Sequence, residues 1–158
     1  MDIEQAEEAT RTVAVHRRTI PMSGIRDFYD TAYGAVLAAL DAAGSAPGGP
    51  AIGWYHGMPA ETATVSAGFP VDGLPVGALD DRVEVVERPG GTVLTAVHAG
   101  SYDTLADGWM SLMGRLNDDG RQARGDFWEE YLTEPTPDMD PADLRTRLVL
   151  PVLSLIHI

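Results

Sequence analysis

Asp2–Val13 reads DIEQAEEATRTV and Arg82–Val93 reads RVEVVERPGGTV. At one constant offset Glu4 lies over Glu84, Glu7 over Glu87, Thr12 over Thr92 and Val13 over Val93. Further on, Tyr55 and Pro59 answer Tyr131 and Pro135, and Phe69-Pro70-Val71 answers Leu150-Pro151-Val152. The chain therefore reads as two pseudo-repeats, about 2–75 and 82–152, in a single domain, 1–152. Half a chain of this size cannot bury an apolar face alone, so the repeats should share one core. Where duplicated halves meet they leave a cleft, and such clefts commonly hold ligands.

The order of elements follows from local pattern. Thr12–Ile20 (TVAVHRRTI) is β-branched and predicts a strand. Ser23 reads as an N-cap after the Pro21–Gly24 turn. Ile25, Phe28, Tyr29, Ala32, Val36, Leu37 and Leu40 then recur at helical spacing up to Gly44. Ala51–His56 and Thr62–Val71 read as a pair of strands. The second repeat starts with Arg82–Glu87, a turn at Pro89-Gly90-Gly91, and Thr92–Ala99 as its predicted hairpin partner. Ser101 is the next candidate cap, and Leu105, Trp109, Leu112, Met113 and Leu116 form a helical stripe ended by Gly120. Asp126–Thr133 and Leu144–Val152 predict the closing strands, with a helical turn at Pro141–Asp143. The fold class is α+β: strand–helix–strand–strand twice, an extra strand before each unit, and two main helices on one face of a mostly antiparallel sheet. The opposite face, or the seam between the units, is left for a ligand. The apolar hexapeptide Leu153–Ile158 (LSLIHI) follows without a turn. One codon choice for it reproduces the end of a sequencing-library transposon adapter, so residues 153–158 read as a non-native tail.

Composition excludes several functions. The 158 residues are 44% hydrophobic and 22% charged, as in ordinary globular chains. Acidic residues outnumber basic ones 24 to 11, and every basic residue is arginine. A net charge of −13 repels phosphate backbones, so direct nucleic-acid binding is not expected, whereas a cationic partner is attracted. With no cysteine there is no thiolate catalysis, disulfide or thiolate metal site. No signal-like start or membrane-length apolar run stands out, and the reading is a soluble cytoplasmic protein without membrane contact. His16, His56, His98 and His157 lack metal-ligand spacing, so no metal or cofactor is expected.

The chemistry concentrates in Phe127-Trp128-Glu129-Glu130-Tyr131-Leu132. On a strand Phe127, Glu129 and Tyr131 share one face, and Trp128, Glu130 and Leu132 the other. Rings flanking one carboxylate suit a planar, positively charged guest, which they stack on while the carboxylate neutralises it. By pattern alone the commoner alternative is a solvent-facing glutamate on an ordinary strand. Trp109, Tyr102, Tyr33 and Tyr29, on or beside the helices, read either as core or as ligand contacts; Phe69 reads as core.

Tyr55-His56-Gly57, Ala67–Val71, Gly91-Thr92-Val93, His98–Tyr102, Glu129-x-Tyr131-Leu132-Thr133-x-Pro135 and Leu150-Pro151-Val152 occur in order along the chain. Together they resemble GyrI-like small-molecule-binding domains, which are also the effector-binding domains of AraC-type and multidrug-responsive MerR-type regulators. The resemblance implies a tandem strand–helix–strand–strand fold. It also implies that Glu129 is the ligand glutamate, among aromatic walls that include Tyr131 and Tyr55, and that the ligand is a lipophilic cation. Without a helix-turn-helix, the chain reads as a stand-alone member that senses or sequesters a hydrophobic compound, cationic or aromatic. A second reading, also carried by the resemblance, is a hydrolase of cyclopropane-bearing electrophilic genotoxins, with Glu129 and Tyr131 as its catalytic groups. A third is a gyrase inhibitor, or a protein partner of a regulator. Overlaid, the repeats place Tyr131 on Tyr55 but Glu129 on Gly53, so one half brings a carboxylate where the other leaves room.

Overall fold

In the computed structural model, which describes residues 2–133 and 138–153, nine strands form one sheet. They are β1 (Glu4–Glu8), β2 (Arg11–Pro21), β3 (Ala51–Tyr55), β4 (Thr62–Pro70), β5 (Gly77–Ala78), β6 (Glu84–Arg88), β7 (Gly91–Ala99), β8 (Phe127–Tyr131) and β9 (Arg145–Pro151). Two helices complete the fold, α1 (Ile25–Ala42) and α2 (Leu105–Asp118). The strand order is β1-β7-β9-β8-β3-β4-β2-β6-β5, and every pairing is antiparallel. The expected α+β repeat is present. Pro135, one of the repeat's sequence matches, lies outside the described residues, as does the tail beyond Leu153.

The expected hairpin between Arg82–Glu87 and Thr92–Ala99 does not form. β6 pairs instead with β2 of the first repeat, Val86 opposite Val13, and β1 pairs with β7 of the second, Ala6 opposite Val93. The repeats have exchanged their leading strands. The physical reason lies in the crossovers. Gly90 runs against the β1–β2 crossover so closely that a Cβ there would sit 2.1 Å from the Glu8 carbonyl oxygen. Arg124 then ties the crossover down, donating to the carbonyls of Gly90 (2.7 Å) and Pro89 (3.1 Å). A tight turn back onto β7 would forfeit that packing, while exchange gives each half an outer strand.

Both helices lie on one face, α1 on β2 and β4, α2 on β7 and β9. Phe28, Ala32, Ala35, Val36, Ala39 and Leu40 are the buried stripe of α1; Gly108, Leu112 and Leu116 are that of α2. Each large buried side chain contributes roughly 1.5–3 kcal/mol relative to exposure. Gly44 (φ 69°) and Gly120 (φ 66°) end the helices in left-handed backbone, which costs glycine least. Ser23 does not cap α1: it falls inside a short 3₁₀ turn, Met22–Gly24, which moves the helix start past it. Ser101 does cap, its Oγ accepting the Asp103 N–H at 3.1 Å in the 3₁₀ turn before α2.

The other face closes on itself. Val13, Val15, Ile52, Trp54, Val93, Trp128 and Val149 form a cluster there. The Arg88 guanidinium of β6 lies 4.0 Å over the Trp128 ring of β8. In a flat sheet those strands would be four spacings apart, about 19 Å, so the sheet must curl. On the helix side the seam stays open.

Candidate ligand-binding site

The seam is the β3–β8 pair, with Gly53 opposite Glu129, Ala51 opposite Tyr131 and Tyr55 opposite Phe127. Strand alternation sends Tyr55, Phe127, Glu129 and Tyr131 up between the helices, and Trp54, Trp128 and Glu130 to the closed face. There Trp128 Nε1 and Arg147 Nη1 both donate to Glu130. Leu132 does not join them: β8 ends at Tyr131, alternation ceases, and Leu132 borders the cleft. From above, α1 contributes Tyr29 and Tyr33, one turn apart, and α2 contributes Leu105, Trp109 and Met113. The resulting cleft has a volume of about 1160 Å³.

All five tyrosines of the chain line it. Tyr29 stacks on Tyr33 (5.7 Å between centroids), and Tyr55 stacks on Phe127 (4.9 Å). Tyr131 meets Tyr29 and Tyr102 edge-on, and Trp109 meets Phe127 edge-on. Glu129 sits at the centre, 6% exposed. Tyr131 Oη donates to its Oε1 at 2.6 Å, and Trp109 Nε1 donates to its Oε2 at 2.8 Å. Burial pushes the Glu129 carboxyl above the usual glutamate range, and these two donors draw it part of the way back. Burial first, then the nearby Glu129 charge, holds Tyr55 up to about 12. Burial likewise raises Tyr29, Tyr33, Tyr102 and Tyr131. At neutral pH the hydroxyls are therefore uncharged. Asp126 also borders the cleft, but Arg124 (2.7 and 2.9 Å) and Trp54 Nε1 (2.9 Å) occupy it. Burial raises Asp126; those bonds outweigh it and leave the carboxyl below its ordinary value. The interior thus offers a guest apolar walls, neutral hydroxyls and one carboxylate without a cationic partner among the described residues.

Each residue singled out in the sequence has a definite place. Glu129, Tyr131, Tyr55, Phe127, Trp109, Tyr102 and Tyr33 all line the cleft. Gly53 lies in its floor, where a Cβ would come within 2.5 Å of the Tyr29 hydroxyl and 3.0 Å of that of Tyr131. The room it leaves is filled by two hydroxyls of the aromatic wall. Sequence reasoning left out Met22 and Met113, and it read Phe69 as core. Phe69 is half-buried, against Tyr33 at 5.6 Å, and borders the cleft. The signal available was helical spacing: Tyr29 and Tyr33, or Leu105, Trp109 and Met113, stand one turn apart.

Among the described residues no cluster of three or more His, Asp or Glu could hold a metal, and no helix is long and apolar enough to cross a membrane. A curled antiparallel sheet with two helices flanking an aromatic cleft defines a small-molecule-binding class of α+β domain. The chain belongs to the GyrI-like family, matching the GyrI-like small molecule binding domain over residues 1–153. Its fold is similar to that of EcmrR in a DNA complex (TM-score 0.81, 19% identity), covering 96% of this chain and 57% of EcmrR. The separate EcmrR C-terminal domain aligns over 98% of both chains (TM-score 0.78, 19% identity). SAV2435 bound to tetraphenylphosphonium is similar over 99% of this chain and 97% of its own (TM-score 0.73, 15% identity). So is a hydrolase from Listeria innocua, over 96% and 92% (TM-score 0.69, 14% identity). No curated protein matches the chain.

Proposed function

We propose that the chain binds a hydrophobic organic cation in the cleft between its halves, and senses or sequesters it. One observation carries this: a carboxylate 6% exposed, held by two neutral donors, with aromatic rings around it and no ion pair to it among the described residues. A buried carboxylate without a counter-charge is costly, and a cationic guest supplies what the fold omits. The rings add cation–π attraction and roughly 25 cal/mol per Å² of apolar surface removed from water. Because each carboxylate oxygen already accepts a hydrogen bond, its position is set before a ligand arrives. SAV2435, similar in fold, is bound to tetraphenylphosphonium, an aromatic cation of this chemistry.

Glu129→Gln keeps the shape and removes the charge. Titrated with tetraphenylphosphonium and with neutral triphenylphosphine oxide, the variant should lose about tenfold or more in affinity for the cation and much less for the neutral compound. Equal losses for both would remove the charge from the explanation.

A second reading rests on the 2.6 Å bond between Tyr131 and Glu129, an acid placed beside a raised carboxyl, and on the likeness to the Listeria innocua hydrolase. In that reading Glu129 takes a proton from a water whose oxygen attacks a cyclopropane carbon, the strained C–C bond breaks as the C–O bond forms, and Tyr131 protonates the atom that takes up the bonding pair and regains its proton from Glu129. Turnover that disappears in Glu129→Gln marks a hydrolase; saturable binding without product marks a binder.

A further inference from the structure

The cleft-lining rings fall into two contact groups around Glu129. Tyr29, Tyr33, Phe69, Tyr131 and Tyr102 touch one another in the first; Tyr55, Phe127 and Trp109 do so in the second. Across the groups, the Tyr29 hydroxyl donates to that of Tyr55 at 2.8 Å. Glu129 is shared between them, since Oε1 accepts from Tyr131 in the first group and Oε2 from Trp109 in the second. The repeat accounts for this division. Gly53 faces Glu129 where the two halves meet, and β3 and β8 each send a tyrosine across: Tyr131 joins Tyr29, Tyr33 and Phe69 of the first half, and Tyr55 joins Trp109 and Phe127 of the second, so the groups bound two chambers related by the repeat. Tyr33 and Phe69 line the cleft with the first group, and their repeat equivalents Met113 and Leu150 line it from α2 and β9. At about 1160 Å³ the cleft exceeds the range of roughly 300–1000 Å³ usual for one drug-sized guest.

We infer that the cleft is a two-armed site, and that its ligand class is a cation whose charge lies between two apolar or aromatic arms, one arm in each chamber. This rests on the proposed binding of a hydrophobic cation. The chambers differ in character. The first is lined by tyrosine oxygens that can still accept: Tyr33 Oη donates to the Ile52 carbonyl at 3.0 Å, and Tyr131 Oη to Glu129. It admits an arm bearing a hydrogen-bond donor. The second, walled by Phe127, Trp109, Met113 and Leu150, holds a single hydroxyl, that of Tyr55, which accepts from Tyr29, and takes the less polar arm.

The test compares benzyltrimethylammonium, with one ring, and dibenzyldimethylammonium, with two, by calorimetric titration of the full chain. The second ring should tighten binding by about tenfold or more, what remains of its buried area after the cost of immobilising it. Met113→Trp, which fills the second chamber, should abolish that gain so that the two compounds bind with equal affinity, and Ala123→Leu in the cleft lining should do likewise. A cooperative thermal transition and an unchanged circular dichroism spectrum show that each variant is folded. Equal affinity for the two compounds in the parent chain overturns the two-armed site and leaves the cation reading standing. A gain that survives both variants, or loss of both compounds in both variants, overturns it as well, because the chambers are then not separate. Binding of neither compound by the parent chain overturns the cation reading and the two-armed site together.

Discussion

Glu129 acquires its character from what lies across the sheet from it. Opposite stands Gly53, and the space a side chain would take there holds the hydroxyls of Tyr29 and Tyr131. Gly53→Ala should therefore push both rings away from the carboxylate. The expected cost is about 1–2 kcal/mol of stability by overpacking, with weaker cation binding. Urea denaturation and titration with tetraphenylphosphonium measure the two effects; unchanged values would mean the tyrosines yield freely. At this scale the sequence was informative on the strand and ambiguous on the helices. Period two alone put Phe127, Glu129 and Tyr131 on one face, because strand geometry leaves no choice. Helical aromatics have no such constraint, since both the buried stripe and the cleft edge recur at the same spacing. Tyr29 could not be told from Phe28, although one lines the cleft and the other is core.

At the level of elements, helices and strands follow the expected order, while their partners do not. The local signal at Pro89-Gly90-Gly91 suits a hairpin, yet β6 and β1 cross to the opposite repeats. Gly90 is the residue that permits this. A methyl group there would meet the Glu8 carbonyl oxygen at 2.1 Å and the backbone of Ala9 at 2.6 Å. Neither can swing away as a side-chain tip would. Gly90→Ala should cost about 3 kcal/mol, near the upper end of ordinary overpacking, and lower the thermal midpoint accordingly. Scanning calorimetry checks it; a midpoint equal to that of the parent would show that the crossovers are free to separate. Turn chemistry reports only on the residues of the turn, whereas strand exchange is decided by packing between segments far apart in sequence.

For the whole molecule, acid sensitivity should trace to a histidine outside the cleft. His56 shares a hydrogen bond of 2.7 Å with Ser66, and its ring lies 4.4 Å from that of Trp54. Burial, and then the Arg17 charge, lower its pKa from 6.5 to about 4. Between those values the unfolded chain takes up a proton that the folded chain refuses, so acid favours unfolding. The His56 contribution should be complete above about pH 6.5 and lost progressively as the pH falls toward 4. Glu129, its carboxyl raised by burial, works in the opposite sense, losing stability as the pH rises through its titration. The difference between the parent chain and His56→Gln isolates the histidine. Urea midpoints followed across that window should converge for the two proteins as the pH drops, and parallel curves would assign the acid sensitivity elsewhere.

The repeat, the element order and the carboxylate among rings were set by the sequence itself, because periodicity and residue chemistry are local and survive in one dimension. Tertiary structure alone decided the exchange of β1 and β6, the curl that closes one face of the sheet, and the gathering of all five tyrosines about Glu129. Those depend on contacts between residues tens of positions apart. Which segments pack best against each other is a property of the whole chain, and no window of sequence contains it.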